Sequence, residues 1–254
     1  MKLRVLGCSG GIGGNLRTTS FLLDHDILID AGTGVSELSL AELSVIDHIF
    51  ITHSHLDHIA CIPMMVDSVW NMRGYPISIY ATAETLELLK QHIFNWKIWP
   101  DFTEIPDVNQ PSLRYQAMEL GETVMLSGRG VTAIPANHVV PAVGYHLDSG
   151  LASLVFTGDT TTSDELWAAV NKIENLRYLI IESAFSNKEK KLAVVSKHLC
   201  PSLLVVELEK LKRKAEVYIT HLAPGEMDLI MHEIEGSVRG ISPQMLLNNH
   251  EFDF

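Results

Sequence analysis

The segment H-S-H-L-D-H, which places His53, His55, Asp57 and His58 within six residues, constrains this chain more than any other feature. It follows directly on H-I-F-I-T, a β-branched and aromatic run that reads as a strand, so the four side chains leave one strand end together. Imidazole and carboxylate are ligands that zinc, iron and manganese accept, and four of them this close cannot all face a dry core. In a chain of this composition the pattern arises by chance about once in several hundred sequences. A segment folded around metal is the economical reading, against one of solvated surface histidines. Four ligands on one segment cannot close two coordination shells, so the fold must bring further ligands to the same place. Three isolated residues stand at other predicted strand ends: His138 after V-T-A-I-P-A-N, Asp159 closing S-L-V-F-T-G-D, and His221 closing E-V-Y-I-T-H.

Short runs rich in β-branched or aromatic residues and closed by turn residues predict strands at 2–6, 20–24, 27–30, 48–51, 77–80, 131–135, 142–146, 153–157, 178–181 and 217–220. Apolar residues three and four apart predict helices at 59–71, 82–94, 164–172, 201–214 and 226–235. The two types alternate without a linker, so residues 1–254 are expected to form a single layered α/β domain. The glycine-rich stretch 7–14 lacks both G-x-x-x-x-G-K-S/T and a G-x-G-x-x-G that opens onto a helix. It reads as the wide loop of a hairpin near the active face, not as a nucleotide cradle. Segment 100–111, with three prolines and scattered acids, reads as a loop that closes over a small substrate or packs on a second subunit.

With 46% hydrophobic and 20% charged residues the chain can bury a sizeable core, which excludes a disordered or disulfide-stapled scaffold. Nineteen basic against 31 acidic residues give a formal net charge of -12, which disfavours nucleic acid as a partner, since such binding runs on Lys and Arg displacing counterions. The densest basic stretch, E-K-L-K-R-K ending at Lys214, falls on a predicted helix and reads as a solvated face. No apolar run approaches the roughly 18 residues of a membrane helix, and M-K-L-R-V-L-G-C has no signal-like apolar stretch. Cys8, Cys61 and Cys200 are odd in number and lack C-x-x-C spacing, so neither disulfides nor a thiolate metal site is expected. A cytoplasmic enzyme with no membrane partner is the reading. Its twelve histidines raise the question of metal ligation or acid–base work.

The order H-x-H-x-D-H, then His138, then Gly-Asp at 159, then Thr-His at 221 resembles the metallo-β-lactamase superfamily over nearly the whole chain. The resemblance implies a four-layer αββα sandwich with a dinuclear site at one sheet edge. Carried over, His53, His55 and His138 hold one divalent ion, Asp57, His58 and His221 the other, and Asp159 bridges them. Zinc is the first expectation, with manganese or iron as alternatives. His58 departs from the true β-lactamases, whose pattern usually has another residue there. Within the superfamily, L-I-I-E-S-A-F-S-N, S-K-H-L-C-P-S-L-L, V-Y-I-T-H-L-A-P and H-S-H-L-D-H-I-A resemble the class II cyclic nucleotide phosphodiesterases, with departures at Cys61, Pro63 and Val139. Ribonuclease Z is the second resemblance: H-V-V-P-A-V-G-Y from His138 is similar to its third motif, and Glu182 with His198 to its proton-transfer pair. Only twenty residues separate His138 from Asp159, which leaves no room for the arm that grips transfer RNA in that family.

Both resemblances imply phosphodiester hydrolysis by a hydroxide held between two ions, most directly of a small 3′,5′-cyclic nucleotide to its 5′-monophosphate. Asp57, Glu182 and His198 are the expected catalytic residues, with His198 protonating the leaving alkoxide and Glu182 orienting it in its imidazolium form. The bland alternative is that His198 only packs beside the helix that starts at Pro201. Trp70, Trp96, Trp99, Phe102 and Phe185 are candidates to stack on a base, and His146 to line the cavity. His25, His48, His92, His232 and His250 read as structural or surface residues, His250 near a frayed C-terminus. The resemblance further implies a homodimer. The other classes to weigh are a ribonuclease Z-like nuclease, a thioester or lactone hydrolase with no need of His198, and a metal-binding or iron redox protein without hydrolysis.

Overall fold

Strands that are apolar on both faces must be covered on both, and in Ser20–Leu23 and Ser153–Phe156 every residue is buried. Residues 1–254, all described in this computed structural model, run through β1 (Lys2–Gly7), β2 (Ser20–Leu23), β3 (Ile27–Ile29), α1 (Leu40–Leu43), β4 (His48–Phe50), α2 (Leu56–Ile59), α3 (Ile62–Val69), β5 (Ile77–Ala81) and α4 (Ala83–His92). There follow β6 (Pro106–Asp107), β7 (Gln110–Pro111), β8 (Leu113–Ala117), β9 (Thr123–Leu126), β10 (Arg129–Pro135), β11 (Val143–Asp148) and β12 (Ser153–Phe156). The chain closes with α5 (Asp164–Val170), β13 (Leu176–Glu182), α6 (Lys190–Val195), α7 (Pro201–Leu208), β14 (Glu216–Thr220), α8 (Met227–Ser237), β15 (Gln244–Met245) and β16 (Glu251–Asp253).

Two seven-stranded sheets result, in the orders β16-β1-β2-β3-β4-β5-β8 and β15-β14-β13-β12-β11-β10-β9. The side-chain period of two splits each strand between a shared inner core and an outer, helix-covered face. Phe21, Leu23, Ile29 and Phe50 point inward to meet Tyr145, Phe156 and Ile180 of the other sheet. Leu22, Leu28 and Ile49 point outward to Met65, Val66 and Leu86 of α3 and α4. On the second sheet Val155, Leu179 and Ile181 pack under Leu166, Leu204 and Ile230 of α5, α7 and α8. This is the four-layer αββα sandwich.

The topology sends the ends of several strands to one edge. β3, β4 and β5 are parallel, as are β12, β13 and β14, and β10 reaches the same edge because β11 is antiparallel to both β10 and β12. The sheets are stitched together there: Tyr145 Oη donates to the Ile51 carbonyl at 2.8 Å and the Val143 amide to the Thr52 carbonyl at 3.0 Å.

Several sequence expectations shift. The predicted helix 59–71 is broken, with α2 already begun at Leu56 and α3 restarting at Ile62, because Pro63 sits in the first turn of α3 and cannot continue a hydrogen-bonded helix. The helix expected to reach 214 stops at Leu208. The basic stretch lies beyond it, with Arg213 Nε donating to the Asn171 carbonyl and Lys210 paired with Asp164 and Glu207. The C-terminus is not frayed: β16 pairs with β1, and Phe252 is buried against Tyr178 and Tyr218. Strands β8 and β9 lie at sheet edges, where exposed and half-buried positions blur the alternation that marks a strand. Segment 100–111 holds a small β6–β7 hairpin beside the first residues of β5, opposite the edge where the strand ends meet, so it is no lid for a site there.

Far from that edge, Arg129 Nη2 donates to Asp26 Oδ2 at 2.8 Å and Nη1 reaches Asp24 at 3.3 Å, clamping β10 to the β2–β3 turn of the other sheet. Burial raises the Asp26 carboxyl, but the hydrogen bonds and charge of Arg129 outweigh it and hold the group below its ordinary 3.8. The clamp therefore contributes fully above pH 3.8 and is lost as the pH falls through the lowered value. Thermal melts of Arg129→Gln should show a lower midpoint than wild type near neutrality, with the gap closing below pH 3.8. A gap that does not vary with pH would assign the clamp to packing rather than charge.

Candidate metal centre

β4 ends at Phe50 and leads through Ile51 and Thr52 to His53, which is fully buried. His55 is the N-cap of α2, so Asp57 and His58 project from one helical turn. His138 follows β10, Asp159 follows β12, and His221 comes directly after β14. The His221 backbone has φ 60, a left-handed conformation uncommon outside glycine. It is held by its amide, which donates to the Cys8 carbonyl at 2.8 Å, and by the 7–14 loop, where a Cβ on Gly10 would meet His221 Nδ1 at 2.8 Å. The wide glycine loop thus serves as the floor under His221.

The expected ligands assemble into two sets, His53, His55, His138 and Asp159, and Asp57, His58, Asp159 and His221. Within each set the candidate ligand atoms lie within 4.8 Å of one another, and Asp159 belongs to both. Three of the histidines have one ring nitrogen tied back to the protein, which sets the tautomer and aims the other nitrogen inward. His58 Nδ1 donates to Asp30 at 2.7 Å, His138 Nδ1 to the Lys197 carbonyl at 3.1 Å, and His53 Nδ1 meets Thr52 Oγ1 at 3.1 Å. His53 Nε2 and His58 Nε2 are buried with no hydrogen-bond partner, and His138 Nε2 stands 3.2 Å from His55 Nδ1. Buried nitrogen lone pairs facing two carboxylates are a donor set suited to divalent cations.

Burial holds His53, His55 and His138 below the ordinary imidazole value, His138 at about 4, so these three are neutral donors near pH 7. Burial also opposes charge on His58 and His221, but Asp159, with Asp30 for His58 and Asp57 for His221, outweighs it and lifts His221 to about 9. Burial raises Asp57 and Asp159 in turn, and the neighbouring imidazoles pull both below the usual carboxylate range. Protons and metal ions therefore compete for the second set.

Glu182 and His198 lie against these sets. Fully buried at the end of β13, Glu182 accepts His198 Nδ1 at 2.7 Å and the amides of Thr160, Ala184 and Leu199 at 2.9, 3.2 and 3.1 Å. Burial disfavours the imidazolium of His198, but Glu182, with Asp159 beyond it, outweighs that and raises its value. The His198 ring stands 4.8 Å from His138 and 5.2 Å from His221, beside both ligand sets.

Of the proposed stacking residues only Phe185 is near, 5.7 Å from the His198 ring. Trp70 borders the cavity at the opposite end of the sheet, Trp99 pairs with Phe94 beyond the far end of α4 and accepts the Trp96 amide there, and Phe102 is buried in the outer core. His146 does not line the site; it pairs with Thr132 and Val155 inside the second sheet. Three functional positions escaped the sequence reading. Asp30 is fully buried and accepts from Thr52 as well as His58. Gly32 supports the Asp57 turn, because any Cβ there would overlap the Asp57 carbonyl. Lys197 joins two loops, donating to Asn137 Oδ1 at 3.1 Å and the His138 carbonyl at 3.0 Å. An Asp ending a strand just before Ala-Gly was the available signal for Asp30.

The β-lactamase superfamily domain family matches residues 25–227, and the chain belongs to the metallo-β-lactamase superfamily. It is 25% identical to a probable 3′,5′-cyclic-nucleotide phosphodiesterase of Yersinia pestis, over 86% of this chain and 77% of that protein. It is 31% identical to the ribonuclease Z of Haloarcula marismortui over 58% of this chain, which spans 47% of that protein. Unliganded yeast PDE1 has the same fold, with a TM-score of 0.82 at 19% identity over 98% of each chain. The family and the two ligand sets together make this protein a metal-dependent hydrolase.

Partners that orient a metal-ligating histidine are worth about 10- to 100-fold in metal affinity. Asp30→Asn should weaken binding of a divalent ion to the set that includes His58 by about that factor in a competitive chelator titration. Retention equal to wild type would show that Asp30 only packs.

Proposed function

We propose that the protein hydrolyses 3′,5′-cyclic nucleotides to 5′-monophosphates. The observation that carries this reading is the buried Glu182–His198 pair set beside two metal-ligand sets. An alkoxide is a poor leaving group that needs a proton, whereas the thiolate released from a thioester has no comparable need. The relative named as a probable cyclic-nucleotide phosphodiesterase, which matches most of the chain, and the shared fold of PDE1 support the same choice.

In this reading His53, His55 and His138 would hold one divalent ion and Asp57, His58 and His221 a second, with Asp159 available to both; zinc fits the imidazole-rich donors best, with manganese or iron as substitutes. When bound, two such ions supply a nucleophile at neutral pH and neutralise charge on the phosphoryl oxygens. The chain's own residues do the rest. Glu182 fixes the Nδ1 proton of His198, so Nε2–H is the one released. As water adds to phosphorus as hydroxide, its other proton released to solvent, and the P–O3′ bond breaks, the Nε2 proton passes to O3′ and His198 is reprotonated from solvent.

Ribonuclease Z-like processing is the second reading, favoured by the identity over part of the chain. Against it, the residues between His138 and Asp159 form only the β11–β12 hairpin, with no protruding arm, and the net charge is -12. We further propose that residues 1–254 act as one hydrolase domain. A reducing compartment such as the cytoplasm suits its three free cysteines, of which burial pushes Cys8 up to about 12. No helix is long and apolar enough to cross a membrane.

Chelation should abolish cleavage of cyclic AMP, cyclic GMP and a chromogenic phosphodiester, and Zn²⁺ or Mn²⁺ should restore it. Cleavage of a precursor transfer RNA in place of all three would establish the second reading. His198→Ala should keep its metal content and lose about 10²- to 10⁴-fold in turnover of a cyclic nucleotide, with a smaller loss when nitrophenolate is the leaving group. Equal losses on both substrates would reject His198 as the proton donor.

A further inference from the structure

With four of the five candidate aromatics away from the site, a base has to rest on something else. A groove of about 470 Å³ opens beside His138 between the start of α4 and the segment that joins β10 to β11. That volume lies within the range of small-ligand sites. The groove adjoins the metal centre at His138, which belongs both to its wall and to the first ligand set. Val139 and Leu120, which line it, are 49% and 59% exposed, so both offer apolar surface to a ligand. Besides His138, the one ionisable side chain in the lining is Glu84, which forms no ion pair or hydrogen bond with the protein.

We infer that this groove is the base subsite and that Glu84 makes it prefer guanine to adenine. The inference rests on the phosphodiesterase reading and adds the base to it. A planar base laid between Val139 and Leu120 would remove both from water while its phosphodiester stays at the metal centre. A carboxylate only accepts hydrogen bonds. Guanine presents two adjacent donors, N1–H and N2–H, which match the two oxygens of one carboxylate, and paired charge-assisted bonds of this kind are strong. Adenine presents the N6 amino group beside the N1 lone pair, so one carboxylate oxygen gains a bond while the other faces repulsion. The same group works against a polymer, since a further phosphate running along the groove would meet Glu84.

The test compares kcat/KM for cyclic GMP and cyclic AMP in metal-loaded wild type and in Glu84→Gln. Wild type should favour cyclic GMP by about tenfold, the worth of one hydrogen bond to a charged group. Glutamine carries a donor beside an acceptor and pairs with adenine, so the ratio should invert in the variant. An equal or reversed preference in wild type, or a ratio that Glu84→Gln leaves unchanged, would overturn the assignment of the groove. Wild type that cleaves the chromogenic phosphodiester but neither cyclic nucleotide would overturn the proposed function, and the subsite with it.

Discussion

Asp159 is a carboxylate buried where five imidazoles meet, and the rest of the molecule is arranged around the electrostatic problem this creates. His53, His58 and His221 approach it at 3.6, 3.4 and 3.3 Å, and it belongs to both ligand sets. A charge removed from water is tolerated only where opposite charge and hydrogen bonds replace the solvent. Two dications would neutralise Asp57 and Asp159 and leave a positive centre for an anionic phosphodiester.

A centre of this kind must be rigid, and the sandwich supplies rigidity by drawing the ligands from the ends of four strands, β4, β10, β12 and β14, that are packed between the inner core and the outer helices. Three of the chain's seven left-handed non-glycine residues stand at the same edge. Asp30, Lys197 and His221, all non-glycine residues, have φ of 56, 52 and 60. Asp30 orients His58, Lys197 ties the His198 turn to the His138 loop, and His221 is itself a ligand candidate. Each left-handed conformation costs about 1–3 kcal/mol and persists where the surrounding packing and hydrogen bonds over-determine it. Three together at one edge show how firmly the centre is held.

The site was legible to the degree that its chemistry is local. H-S-H-L-D-H announces itself because four donors crowded into six residues suit a metal ion and little else, and His138, Asp159 and His221 stand out once strand ends are marked. Glu182 and His198 are sixteen residues apart, and only the resemblance joined them. Asp30, Gly32, Lys197 and Glu84 escaped notice, and Gly10 was not told apart from the rest of the 7–14 loop, because their roles depend on residues far along the chain. Gly10 matters through His221, Gly32 through Asp57, and Glu84 through the His138 loop it faces across the groove. The aromatic candidates failed for the converse reason: stacking ability is a property of a residue, whereas nearness to the site is a property of the fold.

By itself the sequence determined the layered α/β class, the strand ends that carry the ligands and the donor types, because hydrophobic period, turn chemistry and ligand chemistry are properties of short segments. The family resemblance added the division into two sets sharing Asp159 and the Glu182–His198 pair; only the tertiary structure decided that Asp30 backs His58, that Gly10 and Gly32 make room for His221 and Asp57, and that 100–111 lies away from the site. It also decided that the surface beside His138 is aliphatic and acidic. These are relations between segments up to some two hundred residues apart, set by the registers of the two sheets and by how their inner faces interlock. No local pattern encodes such relations one at a time.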